Sequence, residues 1–280
     1  MRRLTNAYLH GLPVTLFDQP SLIEFLQESI AGKRQQVCFG YSLTILPKFR
    51  ECPEIFTLSK TFDIFLADGK GIYWLFKLFG VPVASDMSLP DLAVLLLDLA
   101  DRQHYRLLLL GADQTTNAQA TANIRAKYPG AVIVEGIDGY FTPEDEPSVV
   151  SRINQLQPDI LLIGISSPKK ERFAHDWRSH LTAAVIVPCG GVIDILANKT
   201  SREPPLVKQL ALTWLYRFAQ EPRRLFRPLL VGGFSVIFGL IPTLVFQRAI
   251  KRNQQFSIPA FYGVSDESPI PRSESPVRLD

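Results

Sequence analysis

The turn Ala67-Asp68-Gly69-Lys70-Gly71 follows the apolar run Ile64-Phe65-Leu66 and opens the helical pattern IYWLFKLFG. A carboxylate at the carboxyl end of a strand, beside a helix N-terminus, can accept a proton from a ligand hydroxyl. The same spacing suits an aspartate that merely caps the helix. Ser166-Ser167-Pro168-Lys169-Lys170-Glu171 is a second polar turn entering a helix. Its hydroxyls, free amides and two lysines suit an anionic ligand such as a nucleotide diphosphate, and equally the first turn of a solvated helix. A third turn, Cys189-Gly190-Gly191-Val192-Ile193-Asp194, joins glycines to an acid. A nucleophilic Cys189 would need a partner among His10, His104, His175 and His180, and none stands in a recognisable pairing.

Two absences narrow the chemistry. The G-x-G at Gly69 and Gly71 lacks the third glycine of the dinucleotide fingerprint, so no such cofactor is expected. D-x-D occurs nowhere, so the carboxylate pair that often holds a divalent ion on a nucleotide sugar is missing and no metal is expected. Neutralising a diphosphate leaving group then falls to Arg202, Arg217, Arg223, Arg224 and Arg227, because guanidinium groups clamp phosphates bidentately. The same arginines form a basic patch that anionic lipid would attract.

Positioning these turns requires strands that end together. Leu107 to Leu110 stops at Gly111, and a helical stretch then runs to Gly130. Ala131 to Val134 leads to Asp138-Gly139-Tyr140-Phe141, Ile160 to Ile163 stops at Gly164, and Ala184 to Val187 reaches Cys189. Strand, glycine turn and helix in alternation predict a Rossmann-like α/β fold: a parallel sheet with helices on both faces. Ligands of such sheets sit at the carboxyl ends of the strands. Gly111 there either admits a phosphate or sugar or simply makes a tight turn.

The chain has 280 residues, 46% hydrophobic and 20% charged, which excludes global disorder and predicts one large domain or two small ones. A net charge of +3 excludes a dedicated nucleic-acid binder. Three cysteines without a CxxC argue against a disulfide framework or a zinc site and fit a reducing cytoplasm. The residues after Met1 lack a signal-peptide pattern. The charge is uneven: ten basic and two acidic residues between Lys199 and Arg252 give a local +8, leaving −5 elsewhere.

Beyond Pro204 the pattern changes. Leu206, Leu210, Trp214 and Phe218 recur every four residues and predict one amphipathic helix. Leu229 to Phe246 carries no charge over eighteen residues, roughly 27 Å of helix, just enough to cross a bilayer. Basic residues flank both of its ends, so a monotopic or re-entrant anchor on the cytoplasmic face of the plasma membrane is preferred to a span. After about Asn253 the composition turns to Ser and Pro and predicts a disordered tail. The expected organisation is a core over 1–198, a basic helical appendage closing the active site over 199–228, a membrane-anchoring segment over 229–250 and a tail over 251–280.

At these residues the chain resembles the WecG/TagA/CpsF glycosyltransferase family (glycosyltransferase family 26), from about His10 to Arg227. The resemblance is carried by Ala67-Asp68-Gly69, Asp91-Leu92, Leu109-Leu110-Gly111, Gly139-Tyr140-Phe141 and Pro158-Asp159-Ile160-Leu161. It continues through Pro168-Lys169-Lys170-Glu171, Gly190-Gly191-Val192-Ile193-Asp194, Arg202-Glu203-Pro204 and the stretch LTWLYRFAQEPRR from Leu212 to Arg224. It implies an inverting, metal-independent transfer of an N-acetylmannosamine-type sugar or related hexose from a UDP-sugar donor to a polyprenyl-diphosphate-linked sugar, in surface polysaccharide assembly. In that picture Asp68 is the catalytic base. Gly69, Gly111, Tyr140, Ser167, Lys170, Glu171, Gly190, Gly191, Asp194, Arg202, Arg217 and Arg224 line the substrate site. The partners implied are the UDP-sugar, the lipid-linked acceptor and an anionic membrane surface, with no nucleic acid; a homo-oligomer is compatible. Where the family has Thr and Asn after its first strand this chain has Cys38 and Gly40; a family Arg falls near Asp86, and a family Gln is Lys170. These departures leave a second reading, a catalytically silent subunit that binds a nucleotide sugar or a lipid diphosphate.

Overall fold

The computed structural model describes residues 4–210, 212–220, 222, 226, 232–250 and 256–264, without the side chains of Pro205, Lys208, Trp214 and Arg217. A hairpin, β1 (Thr5–Leu9) and β2 (Leu12–Leu16), precedes α1 (Gln19–Ala31) and β3 (Gln36–Tyr41). Two short helices, α2 (Lys48–Glu51) and α3 (Glu54–Ser59), lead to β4 (Ile64–Ala67), α4 (Lys70–Leu78) and α5 (Leu89–Gln103). Next come β5 (Arg106–Gly111), α6 (Gln114–Lys127), β6 (Val132–Ile137) and α7 (Glu146–Leu156). The sheet is completed by β7 (Ile160–Gly164), α8 (Lys169–Trp177), β8 (Val185–Pro188) and α9 (Val192–Leu196).

Strands β3 to β8 form one parallel sheet in the order β4-β3-β8-β7-β5-β6. Side chains alternate across a strand, so a continuous apolar run feeds two cores at once. Leu108 and Leu110 join Phe39, Tyr41, Ile163 and Phe173 on one face. Leu107 and Leu109 join Leu26, Leu92, Leu96 and Ile124 on the other. The α/β reading is met for the five strands expected from the apolar runs, β4 to β8, whose glycine turns lie at one edge; Cys38 and Gly40, expected after the first strand, lie inside β3.

The hairpin was not foreseen. Its turn, His10-Gly11, has φ of 46° and 83°, the left-handed pair of a type I′ turn that only glycine adopts freely. Thr15 Oγ1 accepts from the Phe65 amide at 2.8 Å, so the hairpin covers the otherwise open edge at β4.

The helix predicted beyond Pro204 is two helices, α10 (Pro205–Gln209) and α11 (Thr213–Gln220). Gln220 and Ser201 exchange reciprocal side-chain-to-backbone bonds of 2.8 and 3.1 Å, which folds the segment back on itself. A continuous helix from Pro204 to Gln220 would hold those ends about 24 Å apart. Leu206 and Leu210, expected on a buried stripe, are 65% and 61% exposed.

Of the uncharged segment, residues 232–250 are described. They form helical turns, π-type over Ser235–Leu240, continuing into α12 (Ile241–Ile250). One face is core: Val236, Leu240 and Leu244 are buried in the same cluster as Ile72, Leu75 and Phe76 of α4. The other face, including Phe234, Ile237, Phe238, Val245 and Phe246, is exposed. No described helix is long and apolar enough to cross a membrane. The expected tail also differs, because part of it is packed. Ser257 caps a short helix, α13 (Ile258–Phe261), and Ile258, Tyr262 and Val264 are buried. The Ile258 amide donates to His10 O at 2.8 Å, which ties this piece to the hairpin turn.

Candidate active site

Strand β3 registers with β8 only through Gln36 and Val37, then pairs with β4 alone from Cys38 to Tyr41. The carboxyl ends of β3 and β8 are therefore not hydrogen-bonded to each other, and two clusters of candidate side chains lie at that edge of the sheet.

The first cluster surrounds Asp68. Its amide donates to Tyr41 O at 2.8 Å, and its Oδ1 accepts from the Leu89 amide at 3.1 Å. The helix it was expected to cap, α4, has Gly69 as its N-cap and no side-chain cap; Asp68 serves the N-terminus of α5 instead. There Ser88 and Asp91 form a capping box, and Arg202 pairs with Asp91 Oδ1. Arg202, more than a hundred residues away in sequence, is thereby brought to the helix end that Asp68 touches. Gly69 has a φ of +93° and open space where a side chain would stand, so backbone alone faces outward there. Lys70 pairs with Asp86 at 3.1 Å, so the acid at the charge-reversed position holds a cation two residues from Asp68.

Gly40 seats the aspartate. A methyl group there would stand 2.9 Å from Asp68 Cβ and 2.9 Å from Leu89 Cγ, closer than such carbons approach. Gly40→Ala should therefore push Asp68 off its bond to the Leu89 amide and lower turnover about tenfold or more. Steady-state kinetics on the purified variant check this; unchanged turnover would mean the seat yields without moving the carboxylate.

The second cluster is buried. Lys170 and Glu171 pair with each other, and Ser167 Oγ donates to Glu171 Oε1 at 2.8 Å. Lys170 Nζ stands 5.5 Å from the Phe39 ring, and its stem lies under Gly190. Glu171 is 0% exposed, and its Oε2 has no hydrogen-bond partner among the described residues. A buried carboxylate oxygen left without a donor is costly, and such a group marks a place where a ligand hydroxyl or N–H is wanted. Cys189 is buried, which pushes its thiol up to about 12 against the opposing charge of Lys170. It is a thiol at neutral pH and no nucleophile.

The remaining candidates divide. Gly111 (φ +142°) meets Gly164: a side chain on it would strike the Gly164 backbone, with Cα only 2.7 Å away. Gly139 abuts Gly111, and Gly164 abuts the Gly190 carbonyl, so four glycines let the ends of β6, β5, β7 and β8 close up. Gly111 thus makes the tight strand-end turn, and its assignment to the substrate site is untouched by that packing. Gly191 precedes α9 and is exposed. Asp194 is joined through Lys199 (3.6 Å) to Asp113, an exposed pair that the motif reading missed. The Thr116 hydroxyl and amide, with Lys199, hold the Asp113 carboxyl well below the usual carboxylate range. The D-x-x-T spacing of that helix cap was the available signal. Tyr140 is 82% exposed at the rim. The backbone of Arg217 lies in α11; Arg224, like Arg223 and Arg227, falls outside the described residues. Among the described residues no group of three or more His, Cys, Asp or Glu could hold a metal ion.

A family model described as glycosyl transferase WecG/TagA/CpsF matches residues 7–252. The chain belongs to that family. A relative from Bacillus spizizenii, named N-acetylglucosaminyldiphosphoundecaprenol N-acetyl-beta-D-mannosaminyltransferase, is 32% identical over 162 residues, 58% of this chain. The matched stretch spans 62% of that relative's length. A Bacillus subtilis protein of the same name is 24% identical over 232 residues, 81% of this chain and 89% of the relative. Around the A-D-G turn of this member of the WecG/TagA/CpsF family, Gly40 packs against Asp68 and Lys70 pairs with Asp86.

Proposed function

We propose that this chain is an inverting glycosyltransferase that moves an N-acetylmannosamine-type sugar from a UDP-sugar to a polyprenyl-diphosphate-linked acceptor at the cytoplasmic face of a membrane. The observation that carries the proposal is Asp68 at the carboxyl end of β4, seated on Gly40 and oriented by the Leu89 amide. The names of both relatives supply the substrate class.

In the reaction proposed, the Asp68 carboxylate takes the proton of the acceptor hydroxyl as that oxygen attacks the anomeric carbon. The bond from that carbon to the UDP oxygen breaks, the electron pair leaves with UDP, and the anomeric centre inverts. Glu171 Oε2 and the Gly190-Gly191 turn are assigned to the donor, Arg202 to the leaving diphosphate. Arg217 and Arg224 of the appendage (199–228) would join Arg202 on closure, which makes a metal unnecessary. The uncharged segment holds the enzyme at the surface, its exposed face in lipid and its buried face on the core. The hydrogen bond from Leu89 favours one rival: an Asp68 that only caps α5 in a silent binding subunit.

Incubating the purified protein with a panel of UDP-sugars, with and without a polyprenyl-diphosphate sugar, separates the two. Release of UDP that depends on the lipid acceptor and survives EDTA is the expected result. Binding without turnover under every pairing would select the silent subunit, and loss in EDTA with rescue by Mn²⁺ would overturn the metal-free clause.

A further inference from the structure

Helix α4 and the 232–250 helix meet at their carboxyl ends and share one loop near their starts. Near their starts, Leu43 packs where a Gly71 side chain would be, and Pro47 of the same loop packs on Gly232. At their ends, Arg248 donates to Leu78 O and stands 5.9 Å over the Phe79 ring. Between these points Val236, Leu240 and Leu244 share one core with Ile72, Leu75 and Phe76. Their outward faces match in character. Trp74 and Leu78 are 58% and 50% exposed on α4; Phe238 and Phe246 are 69% and 65% exposed on the neighbour.

We propose that these two outward faces form a single bilayer-docking surface, so that the catalytic core itself enters the lipid interface through Trp74 and Leu78. The inference rests on the membrane clause of the proposed function and extends it from the C-terminal segment to the core. Charge decides the occupant. Neither α4 nor residues 232–250 contains an acidic residue, whereas Lys77 stands beside Trp74 and Leu78, and Arg248 stands at the junction. An apolar face whose own two helices carry cations and no acid, with an indole at its margin, fits a leaflet with anionic headgroups; the nearest acid, Asp86, is paired with Lys70 at the start of α4. The surface also reaches the chemistry, because α4 starts one residue after Gly69 and two after Asp68. A lipid-linked acceptor keeps its chain in hydrocarbon and its diphosphate at headgroup level, and this arrangement brings that level to the carboxyl edge of β4.

The test uses the full chain and vesicles of phosphatidylcholine with phosphatidylglycerol. Trp74→Ser with Leu78→Ser should weaken vesicle binding about tenfold or more, the scale expected for removing two large apolar side chains from an interface. Turnover on a short-chain, water-soluble acceptor should stay unchanged, while turnover on vesicle-borne acceptor falls. In a chain carrying Trp177→Phe and Trp214→Phe, emission of the remaining Trp74 should shift to the blue and be quenched by brominated lipid. Unaltered binding together with an unquenched Trp74 overturns the inference and leaves the C-terminal helix as sole anchor. Conversion of a dimer to a monomer by the double substitution, with vesicle binding intact, would assign the face to self-association and overturn it likewise. A parent chain that ignores vesicles altogether brings down the membrane clause as well as this one.

Discussion

Asp68→Asn should lower turnover by about a hundredfold or more, the usual scale for loss of a general base, while donor affinity and the melting temperature hold. The asparagine can keep its Oδ1 acceptor toward the Leu89 amide, so the N-terminus of α5 stays capped and the fold has no reason to loosen. What is removed is the capacity to take a proton. An aspartate that merely caps would make the substitution almost silent, and near-normal turnover in the Asn variant would end the mechanistic proposal. Equilibrium binding of UDP-sugar, measured beside steady-state turnover, separates the loss of chemistry from the loss of a site.

Leu240→Ala should destabilise the chain by roughly 2–5 kcal/mol, the range for deleting a fully buried leucine side chain. Leu240 is 0% exposed and belongs to the core cluster that also holds Val236, Leu244, Ile258, Tyr262 and the buried residues of α4. Urea unfolding in detergent, monitored by circular dichroism, measures the loss. For the same reason truncation at Leu229 should expose the α4 side of the core rather than release an intact enzyme. A stable truncated core would show that this helix only rests on the surface.

The sheet was readable because its strands are buried on both faces. Runs such as Leu107 to Leu110 and Ile160 to Ile163 admit few other structures when each ends in glycine. The turns that should face a ligand were legible by the same rule. What the side chains do inside those turns was not. Gly111 suited a phosphate cradle and a tight turn equally, and the approach of Gly164 to its bare Cα is visible only from the neighbouring strand, fifty residues on. Asp86 looked like a lost cation until Lys70 appeared beside it. The hairpin went unseen because β1 is mostly exposed and carries no continuous apolar run. Residues 232–250 read as wholly lipid-directed, since an uncharged sequence does not say which of its apolar faces meets protein and which does not.

The short pairing between β3 and β8 has a mechanical consequence. Two residue pairs, Gln36 with Val185 and Val37 with Ile186, join the β4-β3 ribbon to the other four strands. The ribbon carries Asp68 and is gripped by the hairpin, α4 and, through α4, the 232–250 helix. Lys170, Glu171 and the Gly190 turn ride on the four-stranded part. Outside the sheet the two parts are tied by Arg172 to Glu54, Arg178 to Asp63 at 2.9 Å and Thr61 to His175 at 2.8 Å: one part bears the proton acceptor and everything proposed to touch lipid, the other the groups assigned to the nucleotide sugar. Any change in the distance between base and donor must therefore strain a two-pair strand seam and these three polar ties, and nothing else in the sheet.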